Sequence, residues 1–135
     1  MILWPTKERK EMSGNKYVLD TNIISYFISG NEDLAFYFIE TDLYISFITE
    51  LELLANPYFS IANLEVLQGI LSTIRIIEIN PVIKTQTVYY RKNFKLNLPD
   101  LITAATADLL QYPLVTADKQ FIKIPLKIEY YQYTP

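Results

Sequence analysis

Two kinds of hydrophobic pattern alternate along this chain. Short segments are apolar at successive positions and rich in Val, Ile, Leu and Tyr, as strands are when both faces of a parallel sheet are covered. The longer segments between them repeat apolar residues every three or four positions, which is typical of helices that pack on a sheet. The pattern predicts five strands, at residues 16–19, 43–47, 75–79, 113–116 and 125–131.

Residues that start or stop helices mark several of the predicted helix ends. Gly30 is expected to end the first helix, and Asn31 to cap the second. Asn80–Pro81 is a cap and first-turn pair for a later helix, and Pro99–Asp100 is expected to begin the helix before the fourth strand. Because strands and helices alternate, we predict an α/β fold, a three-layer α/β/α sandwich. Ligands of such folds gather at the carboxyl ends of the strands.

The length of the chain, 135 residues of which half are hydrophobic, suits one domain with its own core. We expect residues 16–135 to form this domain. Residues 1–15 are expected to be an N-terminal appendage that is not native, with natural translation starting at Met12. No apolar run is long enough to cross a bilayer, and the first residues lack the order of a signal peptide. A cytoplasmic protein with no membrane contact is therefore expected.

Cysteine and histidine are both absent from the sequence. Their absence excludes disulfides, thiol nucleophiles, imidazole bases and nearly all structural zinc sites. Any chemistry must come from Asp, Glu, Lys, Tyr, Ser or Thr. Carboxylates that bind a hard divalent cation are the natural choice.

Four acidic residues occur where the chain leaves the predicted sheet or prepares to enter it. Asp20 directly follows the first strand, and Asp118 follows the fourth strand after one intervening residue. Asp100 begins the helix before that strand, and Glu52 lies in the first turns of the helix after the second strand. The carboxyl ends of parallel strands share one edge of the sheet, so we expect these side chains to converge there.

Each of these acids also has a purely structural explanation. Asp20, Asp100 and Asp118 precede helix-like segments, where Asp caps a first turn, and Glu52 could form a capping box with Thr49. Together, however, the carboxylates would repel one another, and a divalent cation would remove that repulsion. Such a cation suits phosphoryl-ester chemistry. Three polar neighbours could orient waters or carboxylates, or make only ordinary turn and cap hydrogen bonds: Asn22, Ser46 and Thr116.

The formal net charge of −3 argues against nucleic-acid binding through bulk positive charge. One local segment, residues 84–95, is positively charged instead, because it contains cations and tyrosines but no acid. It is either a solvated helix face or an RNA contact in which a tyrosine stacks on a base. Its cations are Lys84, Arg91, Lys92 and Lys95.

Four segments, in order and at matching spacing, resemble one protein family. They are "YVLDTNIISYF", "ISFITELELLANP", "LPDLITAATADLL" and "PLVTADKQF", which together extend from Tyr17 to Phe121. The sequence resembles the PIN-domain ribonucleases, and among them the VapC-type toxins of bacterial toxin–antitoxin pairs. This resemblance implies a five-stranded parallel sheet in which the first and fourth strands are adjacent.

The resemblance also implies roles for individual residues. Asp20 and Asp100 match the main Mg²⁺ ligands, for which Mn²⁺ can substitute, and Glu52 and Asp118 complete the acidic set. Glu52 is chosen over Glu50 because it directly precedes a pair of leucines. Asn22 and Thr116 match supporting positions.

The implied function is that of a toxin with Mg²⁺-dependent endoribonuclease activity, which cleaves structured RNA such as tRNA or rRNA by means of a metal-activated water. A cognate antitoxin and a homodimeric state follow from the same resemblance. One alternative is a catalytically silent partner of the antitoxin in a repressor complex. Another is an aspartyl-phosphate phosphatase or receiver domain, although a phosphatase of that kind needs an Asp where this chain has Asn22.

Overall fold

The computed structural model of this protein describes residues 15–133. Within this range the chain forms five strands and six α-helices, together with two short 3₁₀ segments at Glu32–Leu34 and Lys119–Lys123. The strands are β1 (Lys16–Leu19), β2 (Asp42–Ser46), β3 (Arg75–Ile77), β4 (Leu114–Thr116) and β5 (Ile128–Tyr130). The helices are α1 (Thr21–Ile28), α2 (Ala35–Glu40), α3 (Phe47–Leu54), α4 (Ile61–Leu71), α5 (Pro81–Asn93) and α6 (Leu98–Leu110).

All five strands are parallel and lie in the order β3-β2-β1-β4-β5. The predicted α/β fold is confirmed, and so is the adjacency of the first and fourth strands. The chain builds the sheet outward from β1 in one direction and then returns to add β4 and β5 on the other side. The strand order therefore reverses between β1 and β4, where α/β proteins form their ligand crevice.

Consecutive strand residues point to opposite faces of the sheet, and helices cover both faces. Val18 and Leu114 pack against α5 and α6, in a core that includes Leu101. Their neighbours Leu19 and Val115 pack in a second core with α1 to α4. These strand residues are fully buried, which explains why the strands are apolar at successive positions.

The helix ends confirm some of the predicted caps and correct others. Gly30 follows α1 with φ of 110°, and the Asn80 side chain accepts a hydrogen bond from the Ile83 amide, 2.9 Å away. The predicted cap at Asn31 is wrong: its side chain makes no capping hydrogen bond and instead donates to the Tyr131 hydroxyl at 3.2 Å. A 3₁₀ turn, rather than a regular helix, follows Asn31 and leads into α2.

Several strand boundaries also differ from the predicted ones. β2 begins and ends one residue earlier, because Phe47 already belongs to α3. β3 and β5 are shorter, and residues 125–127 precede β5 instead of belonging to it. None of these differences moves a predicted acid out of the carboxyl edge of the sheet.

The predicted appendage and the start at Met12 lie outside the described residues, apart from Asn15. The Asn15 carbonyl accepts a hydrogen bond from the Asp42 amide at 2.7 Å. The boundary at residue 16 stays a prediction. Among the helices between residues 15 and 133, none combines the length and apolarity needed to cross a membrane.

Candidate active site

Asp20 lies at the point where the strand order reverses, and hydrogen bonds from both sides hold its carboxylate. Its amide donates to the carbonyl of Val115 in β4, 3.0 Å away. Oδ1 accepts from the Thr21 amide at 2.8 Å, so Asp20 caps α1. Oδ2 accepts from the Thr116 hydroxyl at 2.7 Å and from Asn22 Nδ2 at 3.1 Å. The cap explanation for Asp20 is thus correct but accounts for only one of its two carboxylate oxygens.

The environment of Asp20 disfavours its charged form. Burial is the main cause and raises the pKa of its carboxyl. Hydrogen bonds from Thr116 and Thr21 act in the opposite direction, because they stabilise the carboxylate. The negative charges of Glu52 and Asp118 raise the pKa further, which indicates that these acids lie close enough to interact with Asp20.

Asn22 and Thr116 join the two chain segments that leave the sheet at this point. Asn22 Oδ1 accepts from the Ala117 amide at 3.2 Å, while its Nδ2 contacts Asp20. The Thr116 hydroxyl donates to Asp20 and also accepts from the Asp118 amide at 3.0 Å. Both side chains therefore make turn hydrogen bonds and orient a carboxylate at the same time.

Asp118 follows β4 and caps the short 3₁₀ segment after it. Its Oδ1 accepts from the Gln120 amide at 2.9 Å. The predicted cap is again correct, and it does not separate Asp118 from the other acids. Its charge acts on Asp20, one strand away, as well as on Asp100.

Glu52 lies on the exposed side of α3, and its local surroundings overturn the predicted capping box. Ser46, not Thr49, caps α3: its hydroxyl accepts from the Ile48 amide at 3.2 Å. Glu52 Oε1 instead accepts from the Thr21 hydroxyl at 2.6 Å. This bond connects α3 to the turn after Asp20. The cap explanation accounts for Ser46 and fails for Glu52.

The sequence pattern did not indicate a role for Thr21. Its hydroxyl lies 3.4 Å from that of Thr49 and donates to Glu52. The signal available was its position beside Asp20, in the Asp-Thr-Asn turn of the first matching segment. Its partner, 31 residues further along the chain, could not be found from local pattern.

Asp100 lies in the first turn of α6, but it does not begin or cap that helix as predicted. The helix begins at Leu98, and the Asn97 side chain caps it by accepting from the Asp100 amide at 3.2 Å. Burial and then the negative charges of three other acids together raise the pKa of Asp100 to about 7: Asp20, Asp118 and Glu52. All four predicted acids therefore take part in charge interactions at the switch point, and these act on Asp20 and Asp100.

The four acids offer a metal ion only carboxylate oxygens as ligands, which suits Mg²⁺ or Mn²⁺. Like charges that raise one another's pKa are relieved by a bound cation, so the residues fit a divalent ion chemically. Between residues 15 and 133, however, no group of three or more acidic side chains is arranged closely enough to hold a metal ion without moving.

The fold separates the cations of residues 84–95 into two groups. Arg91 and Lys92 lie in the last turn of α5, and Lys95 lies in the short connection to α6, next to the end that bears Asp100. Lys84 lies about two helical turns away, roughly 10 Å along the axis. Tyr90 is buried in the core and is excluded as a base-stacking residue, whereas Tyr89 is exposed.

Three solved structures contain chains similar to this one. A chain of a toxin–antitoxin complex from Klebsiella pneumoniae is 30% identical, with a TM-score of 0.75 over 87% of this chain and 99% of that chain. VapBC2 from Rickettsia felis, bound to a DNA fragment from its promoter, is 26% identical, with a TM-score of 0.70 over 87% and 99%. DNA-bound VapBC from Salmonella typhimurium is 26% identical, with a TM-score of 0.72 over 86% and 98%.

Comparison with family models gives a direct assignment. A search of curated proteins found no match to this sequence. The PIN domain family model matches residues 17–127, which include all four acids and every strand except β5 and the first residue of β1. The chain therefore belongs to the PIN domain family.

Proposed function

We propose that this protein is a Mg²⁺-dependent endoribonuclease and the toxin of a toxin–antitoxin pair, active in the cytoplasm against structured RNA such as tRNA or rRNA. PIN domains are nucleases. The observation that carries the proposal is that four acidic side chains lie where the strand order reverses, close enough for charges among them to act on the carboxyls of Asp20 and Asp100. A cluster of this kind is costly to maintain unless it serves to bind a cation.

The carboxylates of Asp20, Asp100 and Asp118 would hold the ion, with Glu52 contributing directly or through water. Bound there, Mg²⁺ supplies positive charge that offsets the charge of a phosphodiester during its cleavage. The ion would require the carboxylates to approach one another, because no three of them lie close enough as they stand in residues 15–133. Asp100 is the least constrained of them, since Asn97 performs the capping of α6.

The other polar residues keep the acids in place. Thr116 and Asn22 hold Asp20 Oδ2, which fixes the buried carboxylate relative to β4. Thr21 holds Glu52 beside the same turn. These contacts fix Asp20 and Glu52 before RNA binds, so the movement that the ion requires falls mainly on the other acids.

Three cations support RNA as the substrate. Arg91 and Lys92 in the last turn of α5, and Lys95 in the connection to α6, are exposed near the helix end that bears Asp100. They could bind phosphates on either side of the cleaved bond. We assign Lys84 to the same basic face, with a weaker role because it lies farther from the acids. Because the chain as a whole is negatively charged, this local group of cations indicates more about RNA binding than the overall composition does.

An antitoxin and a second copy of this chain are the proposed protein partners. The similar solved structures from Klebsiella pneumoniae, Rickettsia felis and Salmonella typhimurium are all toxin–antitoxin complexes. Helices α3 and α4 and the loop between them also carry apolar side chains that are at least half exposed, a feature typical of surfaces that bind other proteins. They are Leu51, Leu54, Tyr58 and Ile61.

The proposed activity can be tested with purified protein and bulk tRNA or rRNA. We expect endonucleolytic cleavage in the presence of Mg²⁺ or Mn²⁺, loss of cleavage in EDTA, and recovery when Mg²⁺ is added in excess. Sequencing of the product ends separates defined cleavage from general degradation. Cleavage that persists in EDTA, or intact RNA after incubation with folded, antitoxin-free protein and Mg²⁺, would contradict the proposal.

Substitution of Thr116 by Val is expected to slow cleavage about 10- to 100-fold, as changes to residues that orient metal ligands do. Valine keeps the shape of the side chain but removes the donor to Asp20 Oδ2 and the acceptor for the Asp118 amide. Initial cleavage rates at saturating Mg²⁺ provide the measurement. The matched control is Thr106→Val, because the buried Thr106 hydroxyl bonds only to its own helix at the Ile102 carbonyl. Equal rates for the two variants would exclude a role for Thr116.

A further inference from the structure

Tyr130 at the end of β5 lies beside the candidate active site. In the parallel pairing of β4 and β5, Tyr130 is the register partner of Thr116. Partnered residues of parallel strands direct their side chains to the same face of the sheet, about 4.8 Å apart. Because the Thr116 hydroxyl contacts Asp20, the Tyr130 side chain leaves the sheet one strand away from the residue that holds the buried carboxylate.

The face on which Tyr130 lies is the one that α6 covers. Ile128, two residues earlier on the same strand, packs in the core formed by Leu114, Leu101 and the rest of α5 and α6. Tyr130 therefore emerges on the side of the sheet where the first turn of α6 brings Asp100. Burial and then the negative charge of Asp118 raise the pKa of the Tyr130 hydroxyl, in agreement with its register position beside Thr116.

The neighbouring tyrosines are used inside the fold, whereas Tyr130 is open to solvent. The Tyr131 hydroxyl contacts Asn31 and Asp33, and the Tyr133 ring stacks on Tyr26 with 4.3 Å between centroids. The Tyr130 side chain is 42% exposed. Its hydroxyl stays protonated at neutral pH, so the ring presents a neutral aromatic surface beside a group of negative charges.

We propose that the Tyr130 ring stacks on an unpaired base next to the cleaved phosphate, so that Tyr130 is a substrate-binding residue that selects single-stranded or looped RNA. This inference rests on the proposed nuclease function. When a phosphate of the RNA lies at the acids, the bases of the adjoining nucleotides extend away from it. Tyr130 lies one strand spacing from Thr116, the residue that fixes Asp20. Aromatic rings beside a backbone-binding site are a common means of holding unstacked bases, and they contribute without regard to base identity.

The kinetic test compares Tyr130→Leu, which removes the ring, with Tyr130→Phe, which keeps it. For cleavage of bulk tRNA we expect the Leu variant to raise KM about tenfold with kcat nearly unchanged. The Phe variant should match the wild-type protein. Phe36→Leu is the control, because it also replaces an exposed ring by leucine, on α2, which contributes none of the four acids. An unchanged KM in Tyr130→Leu, or an equal rise in Tyr130→Phe, would overturn the stacking role.

A binding measurement separates this inference from the nuclease proposal. The probe is a single-stranded RNA that contains 2-aminopurine, and the fluorescence of 2-aminopurine is quenched when this base stacks on an aromatic ring. The measurement is made in Ca²⁺ rather than Mg²⁺. We expect quenching by the wild-type protein, Tyr130→Phe and Phe36→Leu, and weaker quenching by Tyr130→Leu. Equal quenching by all four proteins would reject the Tyr130 contact even if the wild-type protein cleaves RNA. Absence of cleavage together with the expected quenching pattern would reject the nuclease function alone.

Discussion

The Asp100→Asn variant is expected to cleave RNA about a thousandfold more slowly than the wild-type protein, a loss comparable to removal of one group that stabilises charge in a transition state. Asparagine has nearly the same shape as aspartate but lacks the negative charge. Asp100 is the acid whose pKa responds to all three of the others, so its carboxylate lies where their influence converges. Initial rates of tRNA cleavage at saturating Mg²⁺ provide the measurement.

The fold should survive this substitution, which makes the result interpretable. The amide of residue 100 is capped by the side chain of Asn97, and that bond does not involve the Asp100 carboxylate. Asp108→Asn, two turns further along α6, is the matched control and should keep the wild-type rate, since Asp108 does not act on the pKa of Asp20 or Asp100. A rate for Asp100→Asn within tenfold of the control would remove this residue from the proposed mechanism.

The parts of the structure that the sequence predicted depend on burial and chain order. Successive apolar residues such as Val18 and Leu19 can only be buried if both faces of their strand are covered, which predicts the layered α/β fold. The position of Asp20 and Asp118 directly after such strands then places them at the carboxyl edge. The adjacency of β1 and β4 came from the family resemblance, because periodicity carries no information on strand order.

The parts that the sequence did not predict depend on local competition and on distant partners. Two hydroxyl residues near the start of α3, Ser46 and Thr49, could each cap it, and the backbone geometry at Ser46 decides between them. Thr21 finds its acceptor on another helix, and Asn31 is drawn to Tyr131, 100 residues away. The burial of Tyr90 was predictable, however, since Ile83, Thr87 and Tyr90 form one buried face of α5.

Asp100→Asn is also expected to stabilise the metal-free protein by about 1 to 2 kcal/mol at pH 8, and by only about a third of that at pH 5. The folded protein holds a proton on Asp100 up to about pH 7, whereas the unfolded chain releases it near 3.8. The stability contributed by this group is therefore complete below pH 4 and is lost as the pH rises to 7. The full difference would amount to roughly 4 kcal/mol, and the smaller figure allows for solvent screening of a half-exposed side chain.

Urea unfolding in EDTA at pH 5 and pH 8 measures this difference, with Asp108→Asn as the control for loss of one negative charge from the same helix. Mg²⁺ should narrow the gap between Asp100→Asn and the wild-type protein at pH 8, because a cation that binds the carboxylates stabilises only the protein that retains them. A gap that is equal at both pH values would show that Asp100 ionises in the folded protein as it does in the unfolded chain. A gap at pH 8 that Mg²⁺ leaves unchanged would show instead that the acids repel one another without binding the ion. The pH comparison and the Mg²⁺ titration therefore test the electrostatic cluster and its proposed cation separately.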